Sequence, residues 1–373
     1  MNTKTIVVLC IDGFDPEYLE ASDMPNIREI IKKGFLTIGK CMMPSVTNVN
    51  NVSLVTASYP RDHGICSNYL LNREKNEELY LESGEYIRRE TIFQRARRQG
   101  KISVLATSKD KLRTLLDDNV TFSVSAEHPP KWIQEKIGKP PEIYSLEING
   151  WTIRAASHMM SRGPAHIVYI TTTDYAMHTY PPDAPESQQH MTILDNAIGD
   201  LLEANPDITL FITADHGMSK KSKMVDIRHE LISYGINSNP VPIIKDRYVV
   251  HHANLGGSIY VYVSPRYIQK AIEVLQATSG VEEALTREEA AVKFKLCPER
   301  IGDIMVTGEK HVVFGDPREV EMPDNLRSHG SVHERRIPII GYNGDFESFR
   351  FRENRDVGRY IFEKVLGRQR RNL

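Results

Sequence analysis

Four short apolar runs, three of them followed within four residues by an aspartate, constrain the fold of this chain most. The runs cover residues 6–11, 166–170, 208–212 and 337–340 and are rich in Val and Ile. Unbroken apolar runs of this length are typical of strands buried on both faces, as in a parallel sheet. Asp12 follows the first run, Asp174 the second, and Asp215 the third. The pattern predicts a parallel sheet that gathers carboxylates at one edge.

Helical periodicity lies between these runs. Residues 24–33, 91–99 and 188–204 each place apolar side chains on one face at helical spacing. Alternating strands and helices predict an α/β fold, a doubly wound and mostly parallel sheet with helices on both faces. In such sheets, ligands bind beyond the carboxyl ends of the strands. The acidic residues after the runs therefore mark the expected site.

The chain is long enough for more than one domain. Its 373 residues correspond to about two and a half domains of ordinary size. From residue 246 the pattern changes to an alternating strand at 257–263, a helix at 265–277 and two strands at 303–306 and 311–314. This predicts an inserted α+β cap lobe at 246–321, with a catalytic core formed by 1–245 and 322–373.

Composition narrows the expected partners and compartment. The chain has 47 basic and 49 acidic residues, and this balance gives no sequence-wide attraction to nucleic acid or to a membrane surface. Its four cysteines are scattered, which argues against a disulfide framework and for a reducing compartment. The first apolar run is too short for a signal segment or a membrane span. We expect a cytoplasmic protein with a small-molecule substrate and a solvated basic tail from Arg368. The sequence leaves the oligomeric state open, and a homodimer is one of the alternatives.

Six residues near the predicted strand ends have side chains that bind metals. They are Asp12, Asp174, His178, Asp215, His216 and His333. Taken singly, each is as well explained as a helix cap or an ordinary polar residue. Asp174 and His178 are four apart, so they share a face if a helical turn begins there. Oxygen and imidazole ligands suit Zn²⁺ or Mn²⁺, and six of them would serve a pair of metals that catalyse displacement at phosphorus.

A candidate nucleophile comes from residues 43–56. The polar first part of this segment is followed by apolar residues, which predicts a loop that leads into a helix. Thr47 would then lie near a helix N-terminus, where free N–H groups favour phosphate. The alternative for this segment alone is that Thr47 only caps the helix.

Together these residues resemble the alkaline phosphatase superfamily, and more narrowly its nucleotide pyrophosphatase/phosphodiesterase branch. The similar segments are residues 12–13, 44–48, 53–56, 59–65, 174–178, 214–218 and 333, in the family's order. The resemblance implies one metal on Asp174, His178 and His333. It implies a second metal on Asp12, Asp215, His216 and the oxygen of Thr47, which would attack phosphorus. Zn²⁺ is the expected metal, with Mn²⁺ and Fe²⁺ as alternatives that use the same ligands.

Within the superfamily, the chain resembles the phosphonoacetate hydrolases. Residues 41–45 lack the C/S-x-P-x-R motif of sulfatases, whereas residues 47–51, 64–69 and 107–113 are similar to phosphonoacetate hydrolases. This implies that Asn68, Lys109 and Lys111 bind substrate. The two lysines follow a predicted strand at 104–106, and the alternative for them is a solvated loop. Cations there would suit a carboxylate and the negative charge that develops on it during C–P cleavage.

One residue departs from the family pattern, and two alternative functions stay open. Ala57 stands where the family usually has Gly. One alternative function is a nucleotide pyrophosphatase/phosphodiesterase that cleaves a P–O bond, and another is a non-catalytic relative that binds phosphate or metal. We expect His251, His252 and His329 to be lobe or loop residues without a ligand role.

Overall fold

Seventeen strands form the sheets in the part of the chain that the structure describes. The computed structural model describes residues 4–73, 75, 77–247 and 251–367, so the basic tail from Arg368 lies outside the described residues. The strands are β1 (Ile6–Cys10), β2 (Phe35–Lys40), β3 (Tyr69–Asn72), β4 (Glu77–Tyr80), β5 (Ser103–Thr107), β6 (Phe122–Ser125), β7 (Ile167–Thr171), β8 (Thr209–Thr213), β9 (Ser219–Lys220), β10 (Lys223–Val225), β11 (Ser238–Pro242), β12 (Ser258–Val263), β13 (Val281–Thr286), β14 (Ile304–Gly308), β15 (Val312–Phe314), β16 (Arg327–Ser328) and β17 (Arg336–Tyr342).

Fourteen α-helices lie between and around these strands within the described ranges. They are α1 (Pro16–Ala21), α2 (Pro25–Lys33), α3 (Thr47–Thr56), α4 (Pro60–His63), α5 (Ile92–Arg98), α6 (Asp110–Leu116), α7 (Lys131–Ile137), α8 (Ile148–Ser161), α9 (Tyr175–Thr179), α10 (Pro185–Ala204), α11 (Ile227–Ile232), α12 (Ile268–Ala277), α13 (Arg287–Phe294) and α14 (Arg355–Lys364). The helices α2, α5 and α10 match the three periodic segments of the sequence. None of the helices in the described part of the chain is both long and apolar enough to span a membrane.

The central sheet has seven strands in the order β2-β17-β8-β1-β7-β5-β6. The block from β8 to β6 is parallel throughout. Every residue of β1, β7 and β8 is buried, which explains why these runs are unbroken apolar sequence. The predicted fold class, a doubly wound and mostly parallel α/β sheet, is confirmed.

The last strand of the sheet differs in direction from the other three apolar runs. β17 is antiparallel to both β8 and β2. Its first residue, Arg336, pairs with Lys40, the last residue of β2. The chain therefore enters β17 at the edge where the parallel strands end, and it must run back across the sheet. This entry point brings the segment just before β17 to the edge predicted to hold the site.

A smaller antiparallel sheet has the order β11-β12-β14-β13. Its apolar cluster includes residues of α11 and α12. The sheet begins with β11, which precedes the start expected for the inserted lobe at residue 246. The strand β15, expected to close the lobe, pairs in parallel with β10 instead. The chain between β11 and β12 runs from this smaller sheet to the edge of the central one.

Candidate metal centre

Three loops at the carboxyl ends of adjacent strands form the site. The neighbouring strands β8, β1 and β7 lead to Asp215, Asp12 and Asp174 respectively. All three carboxylates are buried. Backbone hydrogen bonds fix the loops to one another, since Gly13 N donates to Asp215 Oδ1 at 3.2 Å. Parallel strands thus bring together three acidic residues that are distant in sequence.

The first ligand group consists of Asp12, Asp215 and His216. One ligand atom from each lies within 4.8 Å of the others. His216 Nε2 is 3.3 Å from Asp12 Oδ1 and 3.6 Å from Asp215 Oδ2. Nδ1 of the same ring is 3.0 Å from the carbonyl of Gly217, so it carries the proton and donates. The lone pair of His216 Nε2 is therefore available to a metal.

The second group is centred on Asp174. As the sequence spacing predicts, α9 places His178 Nε2 2.8 Å from Asp174 Oδ2. Among the described residues, Nε2 nevertheless forms no hydrogen bond of acceptable geometry. His178 Nδ1 is 2.6 Å from the carbonyl of Arg327 and donates to it. This imidazole too is oriented as a ligand, with its other nitrogen held by the backbone.

His329, not His333, completes the arrangement around Asp174. His329 Nε2 lies 3.7 Å from Asp174 Oδ2, and its ring stacks on His216 with centroids 3.5 Å apart. His329 Nδ1 is 2.7 Å from the carbonyl of Ser45. One ligand atom each from Asp174, His216 and His329 again lies within 4.8 Å. The expectation that His329 has no place among the ligands is corrected by this geometry.

The structure places the predicted ligand His333 outside the cluster. Its side chain is 28% exposed, and Nε2 is 2.7 Å from Glu282 Oε2 in the smaller sheet. The reason is the pairing of β16 with β9, which sets Ser328 opposite Ser219 and so brings His329, rather than His333, beside His216. A signal for His329 was present, because it precedes a glycine as His216 does.

A second histidine that sequence reasoning set aside also lies in the site. His251, in the loop between β11 and β12, has a ligand atom within 4.8 Å of those of Asp174 and His178. Its Nε2 is 3.6 Å from Asp174 Oδ1. No local pattern signals this residue, because its position depends on how the smaller sheet packs against the central one.

The candidate nucleophile lies beside the first group. Thr47 is the first residue of α3, and the capping position is Val46, so the alternative of Thr47 as the cap does not hold. Its Oγ1 is 3.3 Å from His216 Nε2. Two hydrogen bonds connect α3 to neighbouring polar groups. The side chain of Asn51 is 3.4 Å from Asp215 Oδ2 through its Nδ2, and the backbone N–H of Asn48 donates to Asn68 Oδ1. With its oxygen bound in this way, the amide of Asn68 has a defined orientation at the start of α3.

The two predicted lysines are buried rather than solvated. Lys109 Nζ is 3.4 Å from Asp174 Oδ1, and Lys111 Nζ pairs with Asp246. Burial acts against the ammonium of Lys109, but the carboxylates of Asp174 and Asp246 outweigh it and raise the pKa of Lys109. Two positive charges therefore stand at the edge of the cluster, one in contact with it and one held next to it.

The electrostatics of the site fit divalent cations. Burial raises the pKa of Asp12 well above its usual value, with the Asp174 and Asp215 carboxylates adding to it. Burial raises the pKa of Asp215 to about 7. Burial and the nearby His216 and His178 rings lower the pKa of His329 well below its usual value, so this imidazole is neutral. Crowded carboxylates, the neutral imidazole of His329 and an Asp12 Oδ1 that has no hydrogen-bond partner among the described residues form a donor set that suits a bound metal.

Removal of divalent metals should therefore destabilise the fold. A ligand bound only by the native state contributes about 4 kcal/mol at a thousand times its dissociation constant, which for a chain of 373 residues corresponds to a melting point about 5 °C higher. We expect exhaustive chelation to lower the thermal midpoint by about that much, and added Zn²⁺ to restore it. The double variant Asp12→Asn, Asp174→Asn is the control and should not respond to Zn²⁺. An unchanged midpoint after chelation in the unmodified protein would contradict a metal-bound native state.

Similarity to solved structures covers nearly the whole chain. Phosphonoacetate hydrolase from Sinorhizobium meliloti 1021, solved in complex with phosphonoacetate, is 30% identical with a TM-score of 0.89, and the match covers 96% of this chain and 95% of that one. Murine ectonucleotide pyrophosphatase/phosphodiesterase 5 has a TM-score of 0.73 at 16% identity and covers 94% of its own chain. The second likeness shows a shared fold.

Curated relatives are longer proteins. Venom phosphodiesterase of Naja atra is 25% identical over 228 residues, which are 57% of this chain and 26% of that protein. Ectonucleotide pyrophosphatase/phosphodiesterase family member 1 of Homo sapiens is 23% identical over 245 residues, 59% of this chain and 24% of its own. The family model of type I phosphodiesterase / nucleotide pyrophosphatase matches residues 6–332. The chain therefore belongs to the type I phosphodiesterase / nucleotide pyrophosphatase family, within the alkaline phosphatase superfamily.

Proposed function

We propose that this protein is a metal-dependent hydrolase that cleaves the C–P bond of phosphonoacetate to give acetate and phosphate. The observation that carries the proposal is the buried Lys109, whose ammonium lies 3.4 Å from Asp174 in the candidate metal centre. Metals can neutralise a phosphonate, but the carboxylate of the same small substrate requires a further cation close by. The similarity to the phosphonoacetate hydrolase of Sinorhizobium meliloti supports the same substrate.

We assign two divalent metals, with Zn²⁺ as the expected ion, to the two ligand groups. Asp12, Asp215, His216 and the Thr47 oxygen would hold one. Asp174, His178 and His329 would hold the other, with His329 in the place first assigned to His333. When bound, the metals would lower the pKa of the threonine hydroxyl and draw negative charge from the phosphonate oxygens.

The chain's own residues then account for the chemistry. The oxygen of Thr47 attacks phosphorus, forming an O–P bond while the C–P bond breaks opposite to it. The electron pair of the broken bond passes to the acetate fragment as an enediolate, and protonation of its carbon gives acetate. Hydrolysis of the phosphothreonine releases phosphate and restores Thr47. Asn68 is placed near the start of α3, where its amide N–H can donate to a phosphonate oxygen.

Lys109 and Lys111 would stabilise the charge that appears on the acetate fragment. Their ammonium groups are fixed before substrate arrives, since Lys109 contacts Asp174 and Lys111 pairs with Asp246. Preorganised charges of this kind need no rearrangement as the reaction proceeds, and they act strongly where water is excluded. This role distinguishes a phosphonoacetate hydrolase from relatives that cleave P–O bonds.

A second candidate function is cleavage of a nucleotide phosphodiester by the same core. The family match and an aromatic pair favour it: the rings of Tyr144 and Tyr175 lie 5.6 Å apart, and each lies within 6.0 Å of His251. Aromatic rings at that position could stack on a base. The two functions predict opposite substrate preferences, so one assay separates them.

The decisive assay measures phosphate release from phosphonoacetate by the zinc-loaded protein beside cleavage of an aryl phosphodiester. We expect fast release from phosphonoacetate and slow diester cleavage. The reverse preference would move the protein to the phosphodiesterase alternative and leave Thr47 and the ligand groups in place.

Replacement of Lys111 with Met tests the role of the lysine pair. We expect kcat/KM for phosphonoacetate to fall about a hundred-fold, because a charge-assisted contact made in the transition state is lost. Cleavage of the aryl phosphodiester, which has no carboxylate, should change by less than about three-fold. Lys131→Met, at an exposed lysine, is the matched control. Equal losses on both substrates would contradict a role in carboxylate recognition.

A further inference from the structure

His251 is a buried imidazole. Both of its ring nitrogens are buried, and neither forms a hydrogen bond within the part of the chain that the structure describes. An imidazole buried in this way gives up the hydrogen bonds that it would make to water. Such an arrangement calls for an explanation, and a bound metal is one of those recognised for native structures.

The surroundings of His251 are those of a metal ligand. Its Nε2 is 3.6 Å from Asp174 Oδ1, and its ring centroid is 4.9 Å from that of His178. Tyr144 and Tyr175 also pack around the ring, with centroids 5.5 and 6.0 Å away. The imidazole therefore lies among aromatic rings, with Nε2 near the Asp174 carboxylate.

The neighbouring His252 shows what a histidine with a structural role looks like in the same loop. Its Nδ1 accepts a hydrogen bond from Asn254 N at 2.9 Å, so Nε2 carries the proton and donates to Asp246 Oδ1 at 3.2 Å. Both nitrogens are used, and no lone pair is left for a metal. The two adjacent histidines therefore differ in the one property that decides ligation.

We propose that His251 is a further protein ligand of the metal held by Asp174, His178 and His329, an inference that rests on the proposed function. The ligand set of that metal would then include one residue from a loop of the smaller sheet, in addition to those at the edge of the central sheet. Its consequence is that the loop between β11 and β12, and with it the smaller sheet, is tied to the metal. In the same loop, Asp246 pairs with Lys111 and accepts from His252, so metal binding would also order this lysine.

Cobalt spectroscopy tests this proposal without any turnover. The full-length protein is depleted of metal, loaded with two equivalents of Co²⁺, and its visible absorption is recorded. For His251→Ala we expect a changed d–d spectrum and at least about ten-fold faster loss of one Co²⁺ to a chelator. For His252→Ala, the matched control, we expect the spectrum of the unmodified protein. An unchanged spectrum in His251→Ala would overturn the proposal.

His251→Cys tests the same proposal by a gain of signal. A thiolate at this position should add a thiolate-to-cobalt charge-transfer band in the near ultraviolet, since cysteine thiolate binds this class of metal. His252→Cys should show no such band. Absence of the band from a His251→Cys protein that still binds two Co²⁺ would also overturn the proposal. Failure of the proposed function would instead appear as an unmodified protein that binds Co²⁺ but does not release phosphate from phosphonoacetate.

Discussion

Thr47→Ala should lower kcat for phosphonoacetate by at least about a thousand-fold, while the metal content of the protein stays unchanged. The hydroxyl of Thr47 lies 3.3 Å from His216 Nε2, beside the first ligand group. Alanine removes the attacking oxygen and leaves the carboxylate and imidazole ligands in place. Steady-state turnover and metal analysis of the same preparation measure both parts of this prediction.

The fold should tolerate the Thr47→Ala change. Thr47 is the first residue of α3 but not its cap, and its backbone carbonyl, which accepts from Asn51 Nδ2, is retained in alanine. A loss of activity in this variant can therefore be attributed to the missing hydroxyl. A thermal midpoint within a few degrees of the unmodified protein is the expected result.

Two further variants separate the nucleophile from its neighbourhood. Thr47→Ser keeps a hydroxyl and should retain turnover within about a hundred-fold. Thr56→Ala is the matched control at the other end of the same helix, where Oγ1 donates to Val52 O at 2.7 Å. It should lose some stability and little activity. Turnover in Thr47→Ala like that of the unmodified protein would contradict the assignment of the nucleophile.

The fold was predictable because burial of a strand on both faces can be recognised from the sequence of that strand alone. Strands such as β1 and β8 are covered on both faces, so they are apolar apart from the two terminal threonines of β8, and the pattern needs no knowledge of the partner strand. The direction of β17 cannot be recognised from its sequence. Its apolar run is the same whether its neighbours are parallel or antiparallel, and the direction follows from where the chain enters the sheet.

The same distinction explains which site residues could be found. Asp12 and Asp215 follow buried strands directly, so the rule that places ligands at carboxyl strand ends predicted their proximity. His329 and His333 are four residues apart in one loop, and only the pairing of β16 with β9 decides between them. That pairing places His329 beside His216. His251 is harder still to predict from the sequence, because it lies in a loop of a separate sheet that packs next to the site.

The second large effect that we predict is on stability, and it comes from a buried ion pair near the candidate metal centre. Lys221 and Glu334 are both fully buried, and Lys221 Nζ is 2.9 Å from Glu334 Oε1. The carboxylate also accepts from Ser331 N at 3.0 Å and Ser331 Oγ at 2.7 Å, and from the hydroxyl of Ser219. The pair thus joins the segment after His216 to the segment after His329.

Glu334→Gln should lower the free energy of unfolding by about 3–5 kcal/mol. Removing one partner of a buried pair leaves the other charge without compensation, and this costs more than the pair itself contributes. In this variant the ammonium of Lys221 would keep its hydrogen bond to the carbonyl of Lys310 but lose its counter-charge. Urea unfolding of the chelated protein measures the effect free of any change in metal affinity.

Three companion variants test this explanation by their order. Lys221→Met should cost less than Glu334→Gln, because the carboxylate keeps the hydrogen bonds from Ser219 and Ser331. The double variant Lys221→Met, Glu334→Met should recover much of the loss, since an apolar pair of similar volume removes both buried charges. Lys364→Met breaks an exposed pair with Asp345 and should cost less than about 1 kcal/mol. If Glu334→Gln lowers the free energy of unfolding no more than Lys364→Met does, the ion pair is not what joins the two ligand segments. The stacking of His216 on His329 must then be maintained by the pairing of β9 with β16 alone.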